Sequence, residues 1–383
     1  MLADYEDTRR SIENPFVGDD GETDEMGVFR PEGVSAERTR EDFLQRIGLR
    51  AKRRKDIELA KKHYQSGQDK FAEASQASGE QRVILFRQAA EEYQLAAKNW
   101  QSSALEQDAL MWAGECHFFA EDYYEAEQLY AQLVKEYPRN PYLDHVDTRR
   151  FEIADYWLKV DSQNHKPFVY VNFSDPKFPW NDTGGHGKRV LEKMRIDNPT
   201  GKVSDDATMR LAVEQFQKGK YEAAADTFAD VRLTYPDSEH QFNAQFLELQ
   251  SLLESYQGPN YSSIPLTEAQ KRVKQIVKQF PQEASTREQE LNEAYSKIRF
   301  QMAERVWYQA DYRYRRSEMG AAKFHYQRIL DEYEDTPFAD QSRERLAKIE
   351  GLPDDPPQHF KSLIWLFNAK DEERPWQKDI TSE

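Results

Sequence analysis

Residues 123–138 read YYEAEQLYAQLVKEYP, and residues 221–236 read YEAAADTFADVRLTYP. The closing prolines, Pro138 and Pro236, stand 236 − 138 = 98 residues apart, and the same step carries Tyr123 to Tyr221, Ala126 to Ala224, Tyr130 to Phe228 and Tyr137 to Tyr235. Ala126, Tyr130 and Leu133 lie at i, i+4 and i+7, one face of an α-helix. A small residue stands where two backbones must approach, and an aromatic fills the next space. The facing helix lies just upstream: LMWAGECHFF puts Leu110, Ala113, Gly114 and His117 on one stripe, with Gly114 permitting close packing. Proline ends the second helix because its ring cannot continue the backbone ladder.

Composition agrees with a thin core. The 383 residues are 38% hydrophobic and 32% charged, with a mean hydropathy of −0.94. An elongated body fits such a wet chain better than a sphere. With 69 acidic against 53 basic residues the net charge is −16, which repels phosphate backbones and anionic lipid, so nucleic acid is not expected as a partner. The single cysteine, Cys116, supports neither a disulfide framework nor a Cys-rich zinc site. The opening stretch MLADYEDTRRSIENPFVGDD lacks the parts of a secretory signal, and no run of about 18 apolar residues occurs. As written the chain reads as soluble, with export left open by an upstream start.

Residues 1–45 are acidic and punctuated by Gly and Pro, and read as a disordered or loosely docked arm. Residues 46–350 carry helical periodicity almost throughout, and residues 351–383 a Pro-containing linker and a short amphipathic segment, HFKSLIWLF (359–367), which either caps the last repeat or docks on another protein. Weaker copies of the repeat surround the two clear ones. LTEAQKRVKQIVKQFP places Ala269, Val273 and Pro281 in register, and GAAKFHYQRILDEYED places Ala322, Tyr326 and Tyr333 there, with Glu334 replacing the proline. Residues 59–103 fit with a loop inserted between Gly67 and Ala89. The unit from 141 to 200 is interrupted by an insertion, residues 161–187, in which FVYVNF alternates as a short strand would. Its aromatics Phe168, Tyr170, Phe173, Phe178 and Trp180 either close a local core or form a partner-binding loop.

Candidate chemistry is scarce. The histidines are dispersed without metal-ligand spacing, and Cys116 and His117, adjacent on a helix, point about 100° apart. GGHGKR (184–189) lacks the first glycine and the Ser or Thr of a phosphate-binding loop. Acidic pairs such as Asp205 with Asp206 and Glu121 with Asp122 suit helix starts. We therefore expect no catalysis, cofactor, metal or small-molecule substrate; an enzyme-associated nucleotide-binding domain is the alternative of another class.

A helix–turn–helix unit of about 34 residues with this order of small residue, alanine, aromatic and closing proline resembles the tetratricopeptide repeat. The resemblance implies an all-α, TPR-like α-solenoid of about six antiparallel helix pairs in a right-handed superhelix, binding proteins or peptide segments. It further implies a concave groove lined by the first helix of each pair: Asp108, Met111, Glu115, Phe118 and Phe119; Asp206, Met209, Val213, Phe216 and Gln217; and Glu304, Trp307, Asp311, Tyr314 and Arg315. The Lys and Asn of the family's carboxylate clamp are missing from these positions. Either they bind an apolar, partly basic peptide or some of them pack between pairs, and Trp307 reads as a partner-capturing residue.

The stops KEYPRNPYLDHV, LTYPDSEHQFNA, KQFPQEAS and DEYEDTPFADQS, each leading into another helix, and YQGPNYSSIPLTEAQKRVKQIVKQFP resemble the outer-membrane assembly lipoprotein family (BamD/YfiO-like) over about residues 55–350. That resemblance implies a non-catalytic scaffold on the periplasmic side of the outer membrane, reaching the membrane only through a lipid anchor or a partner. The chain departs from the family in having no lipid-site cysteine near Met1, an interrupted third unit and Glu334 for proline. A cytoplasmic repeat adaptor is the alternative.

Overall fold

The computed structural model describes residues 55–163 and 171–355. The described residues form fourteen helices and no strand: α1 (Ile57–Gln76), α2 (Gly79–Asn99), α3 (Ala104–Phe119), α4 (Tyr123–Glu136), α5 (Leu143–Gln163), α6 (Thr183–Asp197), α7 (Ser204–Gln217), α8 (Tyr221–Thr234), α9 (Gln241–Ser255), α10 (Ile264–Gln279), α11 (Pro281–Thr286), α12 (Glu288–Arg315), α13 (Met319–Glu332) and α14 (Pro337–Ile349). This is the TPR-like, all-α solenoid that the repeated skeleton predicts. The proposed arm at 1–45, Phe168, Tyr170 and the segment 359–367 lie outside the described residues.

The chain divides into two units, one ending at Ala244 and the other starting at Gln245. In the first, consecutive helices from α1 to α4 pack on one another, as do those from α5 to α8. One apolar core runs from Tyr64 and Phe71 in α1 to Ala207 and Leu211 in α7. In the second, α12, α13 and α14 pack together around Ala303, Val306, Ala310, Ala322, Tyr326 and Ile329. Arg272 of α10 donates to Glu248 of α9 (2.8 Å), both side chains being buried.

The repeat is visible at the level of single atoms. At Gly114 a Cβ would stand 2.5 Å from Tyr130 Cε1, so the ring lies directly on a bare stretch of α3. Tyr130, Phe228 and Tyr326 are all fully buried, as are Ala126, Ala224 and Ala322. The turn between the helices is also copied. Glu121, Gly219 and Ser317, each 98 residues from the next (219 − 121 and 317 − 219), have φ of 60°, 70° and 59°. In each turn the residue with positive φ donates to the carbonyl three back (Phe118, Phe216, Tyr314), and the next residue donates to the carbonyl five back (His117, Gln215, Arg313). These bonds satisfy the last carbonyls of the first helix.

The closing turn is copied a third time without its proline. Tyr137, Tyr235 and Tyr333 donate to Leu133, Val231 and Ile329, while Asn140, Ser238 and Thr336 donate back to the three tyrosine carbonyls. Pro138, Pro236 and Glu334 are all exposed, so this position stops a helix without packing on anything. Glu334 pairs instead with Arg343 (3.1 Å).

Two expectations are corrected and one is extended. Pro281 stands one past the cap residue Phe280, as Pro138 does past Tyr137, and it also opens α11, where its missing N–H costs nothing. No loop is inserted between Gly67 and Ala89: the extra residues lengthen the pair, giving α1 20 residues and α2 21, because neither Gly nor Pro breaks the run between Gly67 and Gly79. The insertion is shorter than 161–187, since α5 runs to Gln163 and α6 starts at Thr183, and Val171, Asn172 and Phe173 are not a strand.

Gly114→Ala should drive a methyl group into the Tyr130 ring and destabilise the chain by about 1–3 kcal/mol. Urea denaturation followed by circular dichroism reads this directly, and an unchanged midpoint would reject the packing register.

Candidate protein-docking surface

Rings on consecutive elements of the first unit form an unbroken ladder. Phe71 of α1 and Phe86 of α2 meet at 5.4 Å, and Phe86 stacks on Phe119 of α3 at 5.4 Å. Phe119 contacts Phe118 (6.0 Å), Phe118 contacts Tyr123 of α4 (5.5 Å), Tyr123 contacts Tyr156 of α5 (5.4 Å), and Tyr156 stacks on Phe178 of the insertion (5.7 Å). Phe71 and Phe86 are buried, whereas the five rings from Phe119 onward are each half-buried. Local structure explains their alignment: Phe118 and Phe119 end α3, and the tight turn at Glu121 brings Tyr123 back beside them.

A cation sits on this ladder. The Arg149 guanidinium lies 4.2 Å over the Phe118 ring and 5.7 Å from that of Phe119. It is held by two bonds to Glu115 (3.1 and 3.2 Å) and one to Glu152 (3.0 Å). Tyr130 also donates to Glu115 (2.5 Å), and His145 Nε2 lies 3.1 Å from the same carboxylate. Burial works to raise the Glu115 carboxyl, but His145 and Arg149 outweigh it and hold it at about 2.

The expected groove positions are therefore treated unequally. Asp108, Met111 and Glu115 are buried rather than lining an open surface, with residues about one repeat later seated on Asp108 and Glu115; Phe118 and Phe119 remain half-exposed. Tyr142 donates to Asp108 Oδ1 (2.8 Å) as Arg149 donates to Glu115. Burial, offset only by the Tyr142 hydroxyl, pushes the Asp108 carboxyl up to about 6. The counterpart one step of 98 onward is open: Asp206, Met209, Val213 and Phe216 are half-buried, with His240 Nε2 2.7 Å from Asp206 and Phe216 edge-on to Tyr221 at 5.3 Å; Gln217 is exposed.

In the second unit α14 lies over the equivalent face. Trp307 contacts Tyr326 (5.1 Å) and Phe338 (6.0 Å), and Arg345 stands 4.8 Å over Tyr314 and 3.9 Å from Asp311. Trp307 is thus a packing residue between α13 and α14, while Arg315 is exposed and pairs with Asp311 (3.0 Å). Glu304 is half-buried.

GGHGK is helical, not a phosphate cradle. Asp182 caps α6, accepting from Gly185 N (3.0 Å) and pairing with Arg189 (3.2 Å), so a carboxylate already occupies the place an anion would take. A Cβ at Gly184 would strike Asp161, and one at Gly187 would lie 2.9 Å from Ala154 O; both glycines let α6 press against α5. The insertion's aromatics split: Phe178 joins the ladder, while Phe173 and Trp180 face solvent. Among the described residues no group of three or more His, Cys, Asp or Glu is arranged to hold a metal ion, and no helix is long and apolar enough to cross a membrane.

Sequence reasoning missed Arg149, Tyr156 and the linking role of Tyr123. The 34-residue separation of Arg149 from Glu115, one repeat length, was the available signal.

Two family comparisons fit this architecture. Residues 183–350 match a family described as outer membrane lipoprotein (YfiO), and residues 108–140 match the tetratricopeptide repeat. No curated protein matches the chain. The chain thus carries a tetratricopeptide repeat at residues 108–140 and resembles the YfiO group over residues 183–350.

The Asp108 value fixes a pH dependence. Its carboxyl ionises near 3.8 when unfolded and near 6 when folded, so burial of the charge destabilises the fold above about pH 6, and the penalty disappears as pH falls from 6 towards 4. Asp108→Asn should raise stability at pH 7.5 by about 2–3 kcal/mol and have little effect at pH 4, measured by denaturant titration at both. Trp307→Ala should lower the stability of the second unit by about 2 kcal/mol, seen as an earlier unfolding step in calorimetry.

Proposed function

We propose that the chain is a non-catalytic scaffold that docks polypeptide segments on the aromatic ladder of its first unit, in the assembly of a cell envelope. The observation that carries this reading is the row of half-exposed rings from Phe119 to Phe178 with Arg149 fixed over Phe118. Rings offer area at little entropic cost, and a pinned cation adds direction to the contact. A partner segment that supplies apolar side chains and a carboxylate or carbonyl oxygen for Arg149 fits such a surface. The envelope setting rests on likeness to the outer membrane lipoprotein family. It makes the periplasmic side of an outer membrane the proposed location, and other assembly components the proposed partners. The second unit acts in this reading as a rigid companion, since α14 lies over Trp307 and Tyr314.

Photo-crosslinking residues placed at Phe118 and Tyr156 in the native host should each trap the same discrete partner in an envelope fraction. A control at exposed Gln327 of α13 should trap none of it. Tyr156→Ala should cut recovery by about tenfold with the fold intact by circular dichroism. Equal trapping at Gln327, or a partner confined to the cytoplasmic fraction, would replace this reading with a different surface or with a cytoplasmic adaptor.

A further inference from the structure

The C-terminal part of α12 carries a stripe of arginine and tyrosine. Arg305, Tyr308, Tyr312 and the cap residue Arg316 follow at i, i+3, i+7 and i+11, one face of a helix. Tyr308 is 41% exposed and Tyr312 45%. The Arg316 guanidinium lies 5.5 Å over the Tyr312 ring and donates to its hydroxyl (2.8 Å), so cation and ring are held together at the surface. At the other end Arg305 Nη1 donates to Pro259 O (3.0 Å) and to Tyr261 O, and Asn260 Nδ2 lies 3.5 Å from the Tyr308 hydroxyl. The loop between α9 and α10 is thereby clamped beside the stripe, where it sets a third exposed ring, that of Tyr261.

Positive charge is in excess here. Arg305 is bonded to carbonyls and pairs with no carboxylate among the described residues. Asp311 is shared by Arg315 (3.0 Å) and Arg345 (3.9 Å), and Glu318 by Arg313 (2.6 Å) and Arg316 (3.0 Å). Glu304 adds a third carboxylate, so five guanidiniums stand against three acids in a chain whose net charge is −16.

We propose that this stripe docks an acidic polypeptide segment in which two carboxylates flank apolar side chains. Arg305 and Arg316 are 316 − 305 = 11 residues apart, about 16 Å along the helix. About five residues of an extended segment cover that distance. The tyrosine rings between the arginines supply apolar area, and their hydroxyls supply polar contacts. Charge complementarity decides the occupant, since a cationic segment meets unbalanced guanidiniums. Nucleic acid or an anionic bilayer reaches past the stripe into the acidic remainder of the chain. A short segment feels only the charges within a Debye length, about 8 Å at physiological ionic strength. The clamped loop and the fixed Arg316 preorganise the surface, which lowers the entropy lost on binding. The site belongs to the second unit and does not rest on the aromatic ladder of the first.

Calorimetric titration of the full chain with acetylated, amidated Gly-Glu-Leu-Ser-Leu-Ser-Glu-Gly should saturate, and the affinity should fall at least about fivefold between about 50 and about 500 mM NaCl. Versions with Gln or Lys for both Glu should bind at least about tenfold more weakly. Tyr312→Ala with Arg316→Gln should cost at least about tenfold with helicity unchanged by circular dichroism, while Arg328→Gln at an exposed arginine of α13 should cost nothing. Crosslinking at Phe118 should persist in the double variant, which separates this site from the ladder. Equal binding of the Gln peptide, undiminished binding by the double variant, or tighter binding of oligo(dT) or phosphatidylglycerol vesicles than of the Glu peptide would overturn the proposal. So would concentration-dependent dimerisation that the double variant removes.

Discussion

The structure depends on one contact, an aromatic ring laid against a helix that has almost no side chain beneath it. Where Tyr130 meets Gly114, the ring occupies space that any Cβ would enter. Phe228 and Tyr326 are equally buried at the corresponding positions, with alanines at 212 and 310 where Gly114 stands. Because the ring is fully buried, it fixes the separation and the register of its pair at once. The turns then follow from the chain length left to connect the helices. Tyr130 also carries a hydroxyl into the core, and that hydroxyl donates to Glu115, which in turn holds Arg149. Packing within one pair is thereby coupled to charge placement on the next, and from there to the cation over Phe118.

Much of the fold was legible because its determinants are local. Alanine and aromatic at i and i+4, a small residue on the preceding helix and a proline or polar turn are all properties of a short stretch, and the 98-residue step aligned them. What could not be read was backbone conformation at non-glycine residues. Gly219 announces a left-handed turn, but Glu121 and Ser317 adopt the same φ with nothing in their type to signal it. Helix length was misjudged at α1 and α2 for a related reason: an excess of residues beyond the repeat can extend a pair as easily as it can loop out, and only the absence of breakers distinguishes the two.

The docking surface was legible in part. Phe118 and Phe119 were found from their positions in the repeat, yet Asp108, Met111 and Glu115 were assigned the same exposure and are buried. Exposure of a first-helix position depends on which side chain arrives one repeat later, and the interrupted third unit delivers Tyr142, His145 and Arg149 there. In the fourth pair Asp206 meets His240, and Met209 and Val213 stay half-open. Trp307 was assigned to capture a partner because α14 was not foreseen as a neighbour.

The placement of α14 bears on self-association. A stack of like pairs has two unlike ends, and a bare end that fits the opposite end of a second copy grows heterologously into a filament. Phe338 and Arg345 seat on Trp307 and Tyr314, the face such growth would use in the last pair. Propagation through that face would first require α14 to be displaced.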